Sequence, residues 1–146
     1  MMVKSRQYEF GRVFLCRLPH KSDLLEALTA FCTDQVLSAA FLSAIGAVTS
    51  ATIGFYDQEA KRYTTISLEE PLELANLAGN VSLRDGKPMV HAHVVLSKKN
   101  GETVAGHLMS PTPIFACEVF AVELRGEPLV RGFDESTGLP LWTALR

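Results

Sequence analysis

The run Met89-Val90-His91-Ala92-His93-Val94-Val95-Leu96, the polar Lys98-Lys99-Asn100-Gly101 and the closing Gly106-His107-Leu108 constrain the fold more than any other part of the chain. Val-rich alternation with period two predicts a strand over Val90 to Leu96. His91, His93 and Val95 then share one face, and Val90, Ala92, Val94 and Leu96 share the other. The polar turn reverses the chain into Glu102 to Leu108, so loop length decides which residues oppose one another. A two-residue Asn100-Gly101 turn pairs Val94 with His107 and turns His107 away from the other histidines. A three-residue loop, Lys99-Asn100-Gly101, pairs Lys98 with Glu102 and sets His93 opposite His107. That loop needs a left-handed residue in third place, where Gly101 stands. It also gathers Val90, Ala92, Val94, Val104 and Leu108 on one core face, which the shorter turn would split. The three-residue loop is the reading adopted.

Three of the four histidines lie between positions 91 and 107. Residues two apart on a strand face are roughly 7 Å apart, and directly opposed Cβ atoms about 5 Å apart. Three imidazoles at such spacing suit one metal ion, and three histidines with an open fourth position are a usual reactive zinc arrangement. The plainer reading is three separate histidines on a half-buried face, bonded to neighbours or water. Their concentration on one face, with His20 remote, favours a site at His91, His93 and His107 for Zn2+ or a similar divalent transition metal.

A chain of 146 residues with 47% hydrophobic and 21% charged residues is expected to form one domain with a real core, spanning 1–146. The net charge of −2 supplies no cationic field for DNA or an anionic membrane, and Lys61-Arg62 and Lys98-Lys99 read as solvated turn charges. Cys16, Cys32 and Cys117 are odd in number, far apart and in apolar settings, so they are expected to be free thiols in a reducing compartment. The start, Met1 to Glu9, has no apolar leader core, and Val36 to Val48 is too short to span a bilayer, so a cytoplasmic location without membrane contact is expected.

Val13 to Leu18 reads as a first strand. Ser22 or Asp23 caps a helix running to about Asp34, with Glu26 placed as in a capping box and Leu24, Leu25, Leu28, Phe31 and Cys32 forming its apolar stripe. Strands and turns follow: Ala40 to Tyr56 with bends or bulges at Gly46 and Gly54, Arg62 to Leu68, and Leu72 to Ser82. In the last of these Leu72, Leu74, Asn76 and Ala78 are expected to oppose Glu73, Ala75 and Leu77. Arg84 to Pro88 forms a turn, Ser110-Pro111-Thr112-Pro113 a rigid loop, and Ile114 to Leu124 a long final strand. The tail Arg131 to Trp142 reads as irregular, anchored by Phe133 and Trp142. The fold class is α+β, a mostly antiparallel curled sheet packed on one principal helix.

Several segments in order resemble the plants-and-prokaryotes conserved (PPC) domain. They are Ile45-Gly46-Ala47-Val48, Ala51-Thr52-Ile53, Leu77-Ala78-Gly79-Asn80-Val81-Ser82, Asp85-Gly86-Lys87-Pro88, His91-Ala92-His93, Gly101, Gly106-His107-Leu108 and Cys117-Glu118-Val119, within about residues 8–142. The resemblance implies a trimer-forming fold, hence a homotrimer, and metal binding at His91, His93 and His107. His20, where glycine is more usual, and Ala105, where a second glycine is common, depart from the pattern without removing a ligand. His20 is expected to be simply exposed. Plant members follow an AT-hook, the source of a DNA-binding label for bacterial relatives. Here Arg125-Gly126-Glu127-Pro128 carries Glu where an arginine would enter the minor groove, and reads as a turn.

A more distant similarity to acetolactate decarboxylase, a zinc enzyme with an H-x-H pair and a third histidine, implies acid-base and anion-binding groups beside the metal. Glu118 and Arg84 are the candidates; their alternatives are a paired structural carboxylate and a solvated turn. The expected function is a trimeric metal-binding protein in ligand binding or regulation, with a small-molecule ligand near the metal and no catalysis. The alternatives are a zinc-dependent enzyme acting on a small carbonyl or carboxylate compound, and a DNA-binding regulator.

Overall fold

A computed structural model describes residues 3–143 and 145. Met1 and Met2, the first residues of the leader reading, lie outside the described residues. An eight-stranded antiparallel sheet comprises β1 (Glu9–Arg17), β2 (Ala40–Val48), β3 (Ala51–Asp57), β4 (Arg62–Leu68), β5 (Leu72–Arg84), β6 (Lys87–Ser97), β7 (Thr103–Met109) and β8 (Ile114–Arg125), in the order β1-β8-β2-β5-β6-β7-β3-β4. One helix, α1 (Leu24–Asp34), packs on its inner face among the described residues, and β9 (Arg131–Asp134) and β10 (Leu139–Trp142) form a separate two-stranded ribbon. The α+β reading, with a mostly antiparallel sheet on one helix, therefore describes the molecule.

Asp23 fixes where α1 begins. Its Oδ1 accepts from the Glu26 backbone N–H at 3.0 Å, satisfying one of the orphan donors of a helix start. The same carboxylate accepts from Ser110 Oγ at 2.7 Å and from the Thr112 N–H at 2.6 Å, so it ties the helix to the loop before β8. Leu24, Leu28 and Cys32 are buried against the sheet, with Leu25 and Phe31 packed beside them. Each fully buried Leu contributes roughly 1.5–3 kcal/mol relative to an exposed one.

In β5 the alternation expected from sequence breaks. Leu72 and Leu74 are buried as predicted, but Leu77 is buried and Ala78 exposed, the reverse of the expectation. A register shift between Leu74 and Asn76 against β6 inserts one extra residue, which turns all later side chains to the other face. The bulge aims Ala78 and Asn80 at the outer face, where the histidines lie.

The tail also differs from its irregular reading. Leu129 and Arg131 are the buried residues at its base, whereas Phe133 is 72% exposed and Trp142 39%. Leu83 N–H donates to the Leu129 carbonyl at 2.8 Å, docking the segment on the end of β5. Phe133 lies beyond that docking point, so it has no core to enter. At its far end the ribbon meets the β3–β4 turn: Tyr56 OH donates to the Thr137 carbonyl at 2.7 Å and Lys61 Nζ to the Glu135 carbonyl at 2.8 Å. The ribbon thus bridges β5 and β3, and β6 and β7 run between its two moorings.

Cys16, Cys32 and Cys117 are free, the latter two buried, and burial pushes the Cys32 thiol up to about 12. No helix among the described residues is long and apolar enough to cross a membrane. The Arg125-Gly126-Glu127-Pro128 segment is folded onto the N-terminal arm, with Glu127 ion-paired to Arg6 at 3.1 Å and its carbonyl accepting from Tyr8 OH at 2.6 Å.

Candidate metal centre

The β6–β7 hairpin has the three-residue loop. Lys98 N–H donates to the Glu102 carbonyl at 2.8 Å, and Gly101 closes the turn with φ +85°, a conformation that glycine adopts without steric cost. Register follows: His93 pairs with His107, Val94 with Gly106 and Leu96 with Val104. Val90, Ala92, Val94, Leu96 and Leu108 are buried in the core and Val104 packs against it, as the pattern required. The opposite face of the same hairpin carries the three imidazoles.

Ring centroids are 5.3 Å apart for His91 and His93, 5.1 Å for His91 and His107, and 5.4 Å for His93 and His107. The triangle is nearly equilateral. One nitrogen from each ring lies within 4.8 Å of the others. Tetrahedral zinc with Zn–N bonds of about 2.0–2.1 Å holds its nitrogens about 3.4 Å apart, so modest ring rotation would close the set.

Two neighbours shape the triangle. Along one row of the sheet, Leu15, Phe120, Ser43, Ala78, His93, His107, Gly54 and Thr65 are successive cross-strand partners. At Gly54 a Cβ would approach Tyr63 Cδ1 to 2.9 Å and Met109 Sδ to 2.8 Å. The missing side chain lets the Tyr63 ring lie against His107, centroids 4.8 Å apart and tilted by 33°. On the other side Asn80 is the cross-strand partner of His91 and accepts from Arg131 Nη2 at 2.8 Å.

Burial favours the neutral form of His91 and His107. Burial, then the mutual influence of His91 and His93 and the charge of Arg131, push His107 down to about 4. His91 is lowered for the same reasons, burial first and Arg131 second. His107 Nδ1 is buried without a hydrogen-bond partner among the described residues. Neutral imidazoles, one with an unmet acceptor or donor nitrogen, fit a metal ion better than isolated structural histidines, because buried polar atoms are ordinarily bonded.

The other sequence candidates lie elsewhere. Glu118 is exposed on β8, three strands from β6, in a groove with Leu15, Arg17, Ser43, Ile45 and Phe120. Arg84 is at the β5–β6 turn beside Asp85, 3.9 Å away. His20 is exposed, its Nδ1 2.8 Å from the Phe115 carbonyl. Sequence reasoning missed Arg131, Tyr63 and Asn80. For Asn80 a signal existed, a polar residue in an apolar strand. Nothing local marks Arg131, which reaches the site only through the ribbon.

Comparisons with known proteins show what the chain as a whole is similar to. The family model of the Plants and Prokaryotes Conserved (PCC) domain matches residues 5–125. A protein from Archaeoglobus fulgidus described as metal-containing is 50% identical, with TM-score 0.91 over 98% of this chain and 99% of that one. A plant- and prokaryote-conserved protein from Pyrococcus horikoshii is 38% identical, with TM-score 0.91 over 99% of both chains. A Ralstonia eutropha structure named "Putative DNA-binding protein" is 26% identical, with TM-score 0.79 over 88% of this chain and 89% of that one. Among curated proteins none matches significantly.

Proposed function

Because this chain belongs to the Plants and Prokaryotes Conserved domain family, we propose that it is a homotrimeric metal-binding protein. His91, His93 and His107 hold a divalent transition ion, zinc in the first instance, and the protein serves in ligand binding or regulation rather than catalysis. The observation that carries the reading is the triangle of imidazoles with centroids 5.1 to 5.4 Å apart. Three neutral ligands leave an ion its full charge and an open position for a small molecule. When bound, the ion would supply Lewis acidity at that position. Around it, Tyr63 covers one side of His107, and Arg131 and Asn80 border His91.

The two sequence candidates for acid-base and anion-binding roles in a zinc enzyme, Glu118 and Arg84, stand away from the rings, and we favour the non-catalytic reading. A DNA-binding role gains nothing from a net charge of −2 and a hook-like segment occupied in structural contacts. Trimer formation is supported by the apolar outer face, where Leu15 is 82%, Ile45 56% and Phe41 45% exposed.

Elemental analysis of protein purified without chelator is expected to give close to one ion per chain, and His93→Ala to abolish it. Metal-free wild-type protein from such a preparation would overturn the metal reading. Light scattering is expected to give the mass of three chains; a stable monomer would overturn the assembly.

A further inference from the structure

Arg131 stands in an unusual electrostatic position. Its residue is only 9% exposed, and every bond it makes among the described residues is to a neutral group. Nε donates to Ser82 Oγ at 2.7 Å, Nη1 to the Pro140 carbonyl at 2.9 Å, and Nη2 to Asn80 Oδ1 at 2.8 Å. Trp142 lies under the guanidinium, 5.5 Å from ring centroid to Cζ. No carboxylate forms an ion pair with it among the described residues. Arginine stays protonated in proteins, so a nearly buried cation lacks a counter-charge among the described residues.

That cation is linked to the histidine face through one side chain. Asn80, which accepts from its Nη2, is the cross-strand partner of His91. Of its five N–H groups three are used, leaving one on each terminal nitrogen. A free N–H on each terminal nitrogen can donate to the oxygens of a carboxylate. The ligand set of the metal reading is neutral, so a divalent ion and Arg131 would together place three uncompensated positive charges in one partly buried region.

We propose that the histidine site takes a small carboxylate as its ligand, held by Arg131 on the side of His91 and open to the ion. This rests on the metal reading and names the chemical class of its small molecule. Asn80 and Ser82 position the guanidinium, and the β9–β10 ribbon carries it over the strands that bear the rings. Arg131 lies outside residues 5–125 matched by the family model.

The test uses the full chain loaded with Co2+, whose visible absorption reports the coordination sphere. Acetate is titrated at constant ionic strength, with chloride as the balancing anion. The expected result is a saturable acetate-dependent spectral change, weakened about tenfold or more in Arg131→Gln. Because Arg131→Gln could loosen the ribbon, Asn80→Asp is the second variant. It places a carboxylate beside the guanidinium, leaves the Ser82 and Pro140 bonds of Arg131 in place, and is expected to weaken acetate as strongly. A spectrum indifferent to acetate, or equally sensitive in wild type and Asn80→Asp, overturns the carboxylate proposal and leaves the metal reading standing. Failure of the wild type to take up cobalt overturns both.

Discussion

Replacing His107 by Phe separates the cost of a metal site from its benefit. In the metal-free chain the imidazole keeps Nδ1 buried and unpaired while its ring stacks on Tyr63. An unsatisfied buried polar atom costs about 1–3 kcal/mol. Phenylalanine preserves a flat ring against Tyr63 and removes that atom, at some cost for its slightly larger volume. The net expectation is a metal-free His107→Phe protein about 1 kcal/mol more stable than wild type, raising Tm by roughly 2–4 °C for a chain of this size. Zinc reverses the order. At free zinc a hundredfold above Kd, the wild type gains about 2.7 kcal/mol, whereas a variant with two imidazoles gains little. Thermal melts of both proteins, with chelator and with excess zinc, measure both effects. A variant less stable than wild type in chelator would refute the claim that His107 is held at a cost. Equal stabilisation of both proteins by zinc would refute its role as a ligand.

Acidification supplies a second check. His107 titrates at about 4 in the folded chain, against about 6.5 for an unperturbed histidine. Between those values the unfolded chain binds more protons, so metal-free stability is full above about pH 6.5 and falls as pH drops towards 4. His107→Phe is expected to flatten that slope, which urea titrations at successive pH values would show; an unchanged slope would remove His107 as its cause. Gly54→Ala would drive a Cβ to within 2.9 Å of Tyr63 Cδ1. It is expected to displace the tyrosine, cost about 1–3 kcal/mol by overpacking, and weaken zinc binding as measured by competition with a coloured chelator. A variant with wild-type stability and zinc affinity would show that the Tyr63 contact shapes nothing.

The hairpin was legible because three independent local signals agree on its register. Gly101 suits a left-handed loop position, Val90, Ala92, Val94 and Leu108 demand one buried face, and the histidines fall on the other. Helix α1 was legible for the same reason, with Asp23 capping where the Leu24, Leu28 and Cys32 stripe begins. The misreading of β5 has a definite origin. Its bulge lies between Leu74 and Asn76, and a phase change of one residue leaves no mark in a sequence whose two faces are both partly apolar. Leu77 and Ala78 look equally suited to either side until neighbouring strands fix the register.

The tail shows a different limit. Phe133 and Trp142 were the apolar residues available to anchor it, and hydrophobicity alone would choose them. The anchor is instead a charged side chain, Arg131, because its partners Ser82, Asn80 and Pro140 come from β5 and from the ribbon's own second strand. Hydrogen bonding between segments some fifty positions apart is invisible to local pattern. The same distance explains why the sequence candidates for a charged partner were Glu118 and Arg84: each lies close in the chain to recognisable motifs, whereas spatial closeness to the rings is set by which strands the ribbon spans. What strand alternation could place was the cluster of three rings, all on one hairpin. What surrounds that set is tertiary, and the cation beside it comes from a ribbon outside the eight-stranded sheet.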